Sequence, residues 1–482
     1  MLVLAGTFFY QDPEWNGNSR LDLTRAIVEQ GTFQIDHYVN MPNWATEDRA
    51  AFGEHVYSDK AIGSSLLAVP FYFIAFKLAG LVSVPLSSTF AKHWLTAIVQ
   101  GGSFAVAGIA MYLVALRVAR SRMHAFVSAL AVALGTMLWP YSAVFYGHVP
   151  AAAFLIVGFY LLLSSQDLPD ERVFRPFLLA GLAMGAAFIT EYTTALVIAG
   201  LLVYALYVSR SRPAWAIFRG GLAGMLGAII PLSVAAAYNL SVYGSPFAAG
   251  YAFEVENRFQ EGMSQGFMGL HFPSLTNVYH ITFDPQFGLF WQSPVLLLSA
   301  VGLFFAIKER RFLAEAAVST FAVGSFIAMN GGYYLWWGGS AFGPRFLIPA
   351  LPFFVVPLAL LPGSLTWLVG ALGALSFAQM LIPLLGQIQP TKLAYRPQRG
   401  VFYVADAPFR GFSLLYDYGI PQILRQQAEG KSPWNLVSAW GLPFWLGVPV
   451  LIVAELLLAL GFRARVRDAS GCKSIKIQQR RP

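Results

Sequence analysis

Apolar residues in this chain gather in long blocks and do not alternate with polar ones. The blocks cover roughly 62–84, 91–116, 124–140, 148–164, 177–190, 193–209, 217–240, 290–306, 313–330, 346–361, 365–386 and 440–462. Continuous apolarity at this length reads as helix, and about 20 residues are needed to cross a bilayer. Several blocks are shorter than that. The pair 177–190 and 193–209 meets at Glu191-Tyr192, which predicts a tight hairpin, with one long kinked helix as the alternative. Met1 to Tyr10 is apolar and short. It reads as part of a first transmembrane helix or as a brief interfacial anchor. Gln11 to Lys60 is polar, and two further polar-aromatic segments lie near 242–284 and 387–436.

Composition sharpens this picture. Charged residues make up 12% of the chain, about half of what a water-facing surface needs. A soluble enzyme, a disordered chain and a nucleic-acid binder are excluded together. The fold class is therefore an all-α polytopic membrane protein. The net charge of +8 matches basic cytoplasmic loops. Arg117, Arg120 and Arg122 form one cluster, and Arg172 and Arg175 a second. Arg210, Arg212 and Arg219 form a third, Lys308, Arg310 and Arg311 a fourth, and the tail from Arg463 a fifth. If all five face the cytoplasm, every long loop faces outward, provided 62–84 does not span. Pro70 and Lys77 suit an interfacial or re-entrant helix there. The count then comes to about twelve spans. The organisation expected is a first helix over 1–10, an outer loop with juxtamembrane helices over 11–90, a core over 91–386 with its outer loop 242–284, and an outer loop over 387–439. The last span over 440–462 and a basic tail over 463–482 complete it. The single cysteine, Cys472, leaves the outer loops without an intrachain disulfide.

The first polar segment holds nine acidic and four basic residues. Ser19 and Asp22 have the spacing of a capping box before a helical run that Gly31 stops. Asp36 follows that run without an obvious salt partner in sequence. Glu47-Asp48-Arg49 comes next, then Tyr57-Ser58-Asp59-Lys60, which sets an acid and an ammonium beside an apolar helix. A charge so placed needs water, a partner or a polar head group, with a snorkelling lysine as the plain alternative. Late in the chain, Trp336-Trp337 precede Gly343-Pro344-Arg345-Phe346. The Gly-Pro turn aims Arg345, whose guanidinium can fork onto a phosphate. An interfacial arginine is the simpler reading. Glu191 is an ionisable group within apolar sequence, a functional candidate able equally to pair with a nearby arginine. His148 is an outer-loop histidine. No Walker loop, His-Glu-x-x-His or Gly-x-Ser-x-Gly occurs, and one cysteine cannot build a Cys/His metal cluster.

The acidic first loop, Asp59-Lys60-Ala61-Ile62-Gly63 before a membrane-surface helix, and Gly343-Pro344-Arg345-Phe346 opening a late span carry a resemblance. They look like the bacterial membrane glycosyltransferases of the GT-C type, in particular the glycosyltransferase 39 and protein-mannosyltransferase-like set related to aminoarabinose transferases. The resemblance implies a sugar donor carried on polyprenyl phosphate and a hydroxyl acceptor on a lipid, glycan or protein. Lys60 and Arg345 match the family's cationic positions and would hold the donor phosphate. A first-loop carboxylate would act as base: Asp36 first, then Asp59 and Asp48, with Asp12 and Asp22 left open. Arg20, His148, Glu191, Trp336 and Trp337 would line the cavity. Two positions depart from the family: uncharged Asn18-Ser19 stand where it commonly has Asp-Glu, and Ile62 where it often has proline. No cofactor is implied with certainty beyond the lipid-linked sugar donor, and metal need and oligomeric state stay open. The localisation implied is a bacterial inner membrane, with the site on its outer face. A transporter or lipid flippase, and an O-antigen ligase or polymerase, are the competing readings. The first predicts charges near mid-membrane; the second predicts an arginine-dominated outer loop.

Overall fold

The computed structural model describes residues 1–83, 86–390, 394–396, 400–404, 407–429, 434–438, 446–447, 449–454 and 457. The expected last span lies largely outside these residues, and the basic tail with Cys472 lies wholly outside. Against the expected twelve spans, eight helices among the described residues are long and apolar enough to cross a membrane. Two shorter apolar helices, Arg122–Leu134 and Arg345–Leu360, join them. The second is short for a covalent reason. Pro349 and Pro352 remove backbone donors, and Arg345–Phe354 runs as a 3-10 helix.

The first apolar block forms α1, Leu2–Thr7. Helix α2, Glu14–Arg25, continues through a π-helical turn, Ala26–Gln30, to Gly31. Gly31 has φ 67° and ends the helix as the sequence predicts. The expected cap is corrected, because α2 begins at Glu14 and carries Ser19 and Asp22 in its interior. After it, β1 (Arg49–Phe52) and β2 (His55–Ser58) pair antiparallel in the register Arg49↔Ser58 to Phe52↔His55. Gly53 supplies the positive φ of the tight turn, 64°.

Helix α3, Gly63–Leu81, is one of the eight by length. Its inner face is committed to α2: Ser65 Oγ donates to the Arg20 carbonyl (2.8 Å) and Tyr72 Oη to Glu29 Oε1 (2.5 Å). Phe73, Ile74, Leu78 and Leu81 are left exposed. Because α2 is polar, this packing favours a helix lying at the membrane surface.

The bundle behind the first loop contains α4 (Ser88–Val118), α5 (Arg122–Leu134), α6 (His148–Ser165), α7 (Phe174–Thr190), α8 (Ala195–Ser209) and α9 (Ala214–Tyr243). Small residues let α7 and α9 approach closely. A side chain at Gly181 would meet the Gly224 backbone, and one at Gly227 the Leu178 carbonyl. The 177–209 region is a hairpin. Glu191 breaks the helix in an extended conformation, φ −148° and ψ 111°. At the far end Arg212 meets Asp170 at 2.6 Å.

That far end gathers the four basic clusters that lie among the described residues. Arg117 pairs with Asp167, Arg120 with Glu309, and Arg311 with Glu309 at 3.6 Å. These loops therefore sit together, as the charge pattern predicts. Helix α6 runs from this end to His148 over 18 residues, about 27 Å at helical rise. The first loop, Glu191 and Arg345 lie at the opposite end.

Candidate functional site

The β1–β2 register creates the site. With Arg49 opposite Ser58, the residues just beyond the hairpin's open end, Asp48 and Asp59, emerge side by side. Lys60 bridges them: its Nζ lies 3.0 Å from Asp48 Oδ2 and is also paired with Asp59. The Asp59 side chain is 0% exposed, whereas those of Asp48 and Lys60 are each 10% exposed. Asp59 is therefore enclosed and Asp48 faces the opening. Burial works against the Lys60 charge, but Asp48 and Asp59 overcome it and hold the ammonium well above the usual lysine value.

The departure at Asn18-Ser19 has a spatial answer. Ser19 Oγ lies 2.8 Å from Ser58 Oγ and 3.2 Å from Asp59 Oδ1. The Asp59 carboxylate, just after β2, thus lies against Ser19 of α2.

A second group adjoins. Buried Arg20 donates through Nη2 to Glu191 Oε1 (3.0 Å) and through Nη1 to the Ala61 carbonyl (3.1 Å). His148 Nδ1 is 3.5 Å from the same Glu191 oxygen. The His148 ring meets Phe346 edge-on, at 5.9 Å between centroids. Arg345 joins the two groups. Arg20, Arg345 and Lys60 are all cationic neighbours of Glu191, and Asp48 is an anionic neighbour of both Lys60 and Arg345. Arg345 forms no ion pair among the described residues; its guanidinium stands 5.0 Å over the Tyr146 ring and its Nε is buried without a partner. Gly343, at φ 89°, makes the turn that aims it; a side chain there would strike Gln292 and Met137.

Other expected site residues lie elsewhere. Asp36 is on the exposed side of the first loop. Its Oδ1 accepts from the Val56 amide (2.9 Å) and its Oδ2 lies 3.2 Å from His55 Nδ1. Those contacts pin the chain after α2 to β2 and keep Asp36 out of the Lys60 cluster. Trp336 and Trp337 are packed with Phe287, Phe342 and Phe402, and Trp336 stacks on His280 at 5.3 Å. Tyr251, Tyr333 and Tyr334 are aromatics electrostatically close to Lys60.

Two acids escape sequence reasoning, Glu254 and Glu14, and a third, Asp22, has surroundings that its capping spacing does not predict. Glu254, in the 242–284 loop, is 4% exposed and reaches the Asp59 carboxyl. Glu14 begins α2 with a left-handed φ of 48°, a strained backbone typical of functional positions. Its carboxyl reaches water yet is crowded by protein, and burial and Asp12 push it up to about 7 while Arg345 opposes them. Asp22 is fully buried, and neither oxygen has a hydrogen-bond partner. Burial holds its carboxyl well above the usual range, with Arg25 and Lys92 pulling the other way. Its folded form therefore binds a proton that the unfolded chain releases at neutral pH. Stability contributed there is full below the unfolded value and falls as pH rises towards the folded one. Asp22→Asn is expected to raise the thermal aggregation midpoint at neutral pH and to flatten its decline with pH. Each unit of upward displacement is worth about 1.4 kcal/mol. An unchanged midpoint and slope would remove this assignment.

Among the described residues, no group of three or more His, Cys, Asp or Glu side chains is arranged to hold a metal ion. What the arrangement can do is place two cations near one carboxylate at the opening of a largely dry site.

No protein-family model matches the sequence, and no curated protein does. Solved structures do match. ArnT from Cupriavidus metallidurans bound to undecaprenyl phosphate superposes with a TM-score of 0.52 at 12% identity, over 81% of this chain and 64% of that one. The same protein in its apo state gives 0.46 at 12% identity, over 74% and 57%. This chain thus spans less than two thirds of the length of the solved protein it resembles. At this identity the likeness speaks of the backbone alone, and what it shows is that the chain shares the mainly helical, polytopic fold of that membrane protein.

Proposed function

We propose that this protein is a membrane glycosyltransferase. It transfers a sugar from a polyprenyl-phosphate donor to a hydroxyl on a lipid, glycan or protein, at the extracytoplasmic face. The observation that carries this reading is that Lys60 and Arg345 share Asp48 and Glu191 as charged neighbours, while Arg345 forms no ion pair of its own among the described residues. Such a guanidinium in a dry site lacks an anion, and a lipid phosphate supplies one.

In the reaction, the acceptor oxygen attacks the anomeric carbon, and the bond from that carbon to the phosphate oxygen breaks. Polyprenyl phosphate leaves with the bonding electrons. Lys60 and Arg345 neutralise the charge that grows on it, an effect largest where water is excluded. Asp48 takes the acceptor proton. Its opening exposure favours it over enclosed Asp59, which serves to hold Lys60. The lipid tail stays in the bilayer, so no nucleotide-binding loop is needed.

The transporter alternative gains nothing from the buried acids. Glu191 sits at the end of α7 where two spans meet, and Glu315 lies in the first turn of the helix Leu313–Gly332; neither is at mid-depth.

Asp48→Asn is expected to lower transfer about 10²–10⁴-fold while donor binding persists. Asp36→Asn is expected to stay within a few-fold of the unchanged protein. The check is radiolabelled sugar transfer from a polyprenyl-phosphate donor in proteoliposomes, beside native mass spectrometry of bound lipid. Full turnover in Asp48→Asn would sink the base assignment. Absence of both bound lipid and transfer in the unchanged protein would sink the enzyme reading.

A further inference from the structure

Three carboxyl groups, those of Asp48, Asp59 and Glu254, surround a single ammonium. Glu254 arrives from a distant part of the chain. Ala50 and Glu254 form an antiparallel bridge, and the Val255 amide donates to the Arg49 carbonyl (3.1 Å). Gly250 lies so close to Asp59 that any side chain there would meet the Asp59 backbone at 2.7 Å. The segment Gly250–Glu254 thus covers the turn that carries Asp59 and Lys60, and the Tyr251 ring stands 5.6 Å from Lys60 Nζ. Glu254 Oε1 is buried without a partner.

Two enclosed carboxyls in contact cannot both ionise beside one lysine that already serves two carboxylates. We propose that Glu254 is a positioning residue that carries a proton shared with Asp59, and that this proton keeps the Lys60–Arg345 site receptive to a lipid phosphate. The inference rests on the glycosyltransferase reading for its ligand and on the local geometry for its proton. With Glu254 neutral, the two carboxylates at Asp48 and Asp59 face two cations. Loss of the proton adds a third negative charge against an incoming phosphate.

The groups facing Glu254 are Asp59, Lys60 and Asp48 from the first loop and Tyr334 beyond the helix Leu313–Gly332. Tyr334 is raised by burial and by Tyr333, and Lys60 is held well above its usual value. Both stay protonated where Glu254 titrates. Burial and Asp59 push Glu254 up to about 10. The second ionisation of a phosphate monoester is complete well below that, near about 6. Glu254 is therefore the group expected to change charge on the alkaline side.

The test uses the full chain in detergent, with undecaprenyl phosphate as the probe and Glu254→Gln as the variant. Affinity of the unchanged protein is expected to fall about tenfold or more as pH rises through the Glu254 titration. Glu254→Gln keeps the neutral shape, and it is expected to bind comparably at neutral pH and to lose that fall. A merely structural role would leave the two pH profiles parallel, and parallel profiles overturn the inference. Infrared titration supplies a readout free of any ligand. A protonated-carboxyl band should be present in the unchanged protein at neutral pH and diminished in Glu254→Gln. An identical band in both overturns the shared proton, whatever the protein binds. A difference in the band together with no lipid binding in either protein supports the proton and overturns the lipid-phosphate site.

Discussion

Arg345→Ala is expected to reduce polyprenyl-phosphate binding and transfer by about 10²–10³-fold without unfolding the protein. The reason lies in what the arginine leaves behind. It forms no ion pair among the described residues, so its removal breaks no salt bridge; what is lost is the guanidinium over the Tyr146 ring and its electrostatic support of Glu191 and Glu14. Lys60→Ala should lose binding to a similar degree and also lose stability. Asp48 and Asp59 would remain in a nearly dry pocket with their shared cation gone, and breaking a buried pair typically costs about 3–5 kcal/mol. Native mass spectrometry of copurified lipid, run beside thermal stability in the same detergent, separates the two effects. Arg345→Ala binding as well as the unchanged protein would dismiss the phosphate site. A Lys60→Ala variant as stable as its parent would show that Asp48 and Asp59 reach water more freely than their burial implies.

The second large effect belongs to Glu191. Glu191→Ala leaves Arg20 at 2% exposure without its carboxylate, and the expected loss of stability is about 3–5 kcal/mol. His148 cannot substitute, because a neutral ring carries no charge to offset a guanidinium. The double variant Arg20→Met, Glu191→Leu should recover much of that loss, since apolar replacement of a whole buried pair is often neutral. Thermal aggregation midpoints of the unchanged protein, Arg20→Met, Glu191→Leu and the double variant show whether the two losses couple. Losses that simply add would mean that the pair does not hold the hairpin to α2. Function should not recover with stability, because both charges belong to the field around the proposed phosphate site.

Much of the architecture was legible from the chain. Apolar block length announced the long helices, and arginine clusters announced which loops share one end. The ion pairs between Arg120 and Glu309 and between Arg212 and Asp170 bear out that grouping. Gly31 marked the end of α2 and Glu191 the turn of a hairpin. These features are local: chain length against bilayer thickness, glycine at positive φ, charge excluded from hydrocarbon. Lys60 and Arg345 were legible as candidates for the same reason, since a cation beside an apolar helix needs an explanation wherever it sits.

Sequence alone ranked Asp36 above Asp48, because sequence neighbours say nothing about partners across a hairpin. Only the β1–β2 register sets Asp48 beside Asp59, and only the fold gives Asp36 to His55 and the Val56 amide. Capping spacing suggested an ordinary place for Asp22, and the real helix start at Glu14 leaves it in the interior without a partner. Glu254 carried no signal at all, being one acid in a polar loop far along the chain. The sequence by itself determined which segments leave water and which charges must stay near it. The tertiary structure decided which of those charges meet, because a charge's partner is set by contacts between segments far apart in the chain.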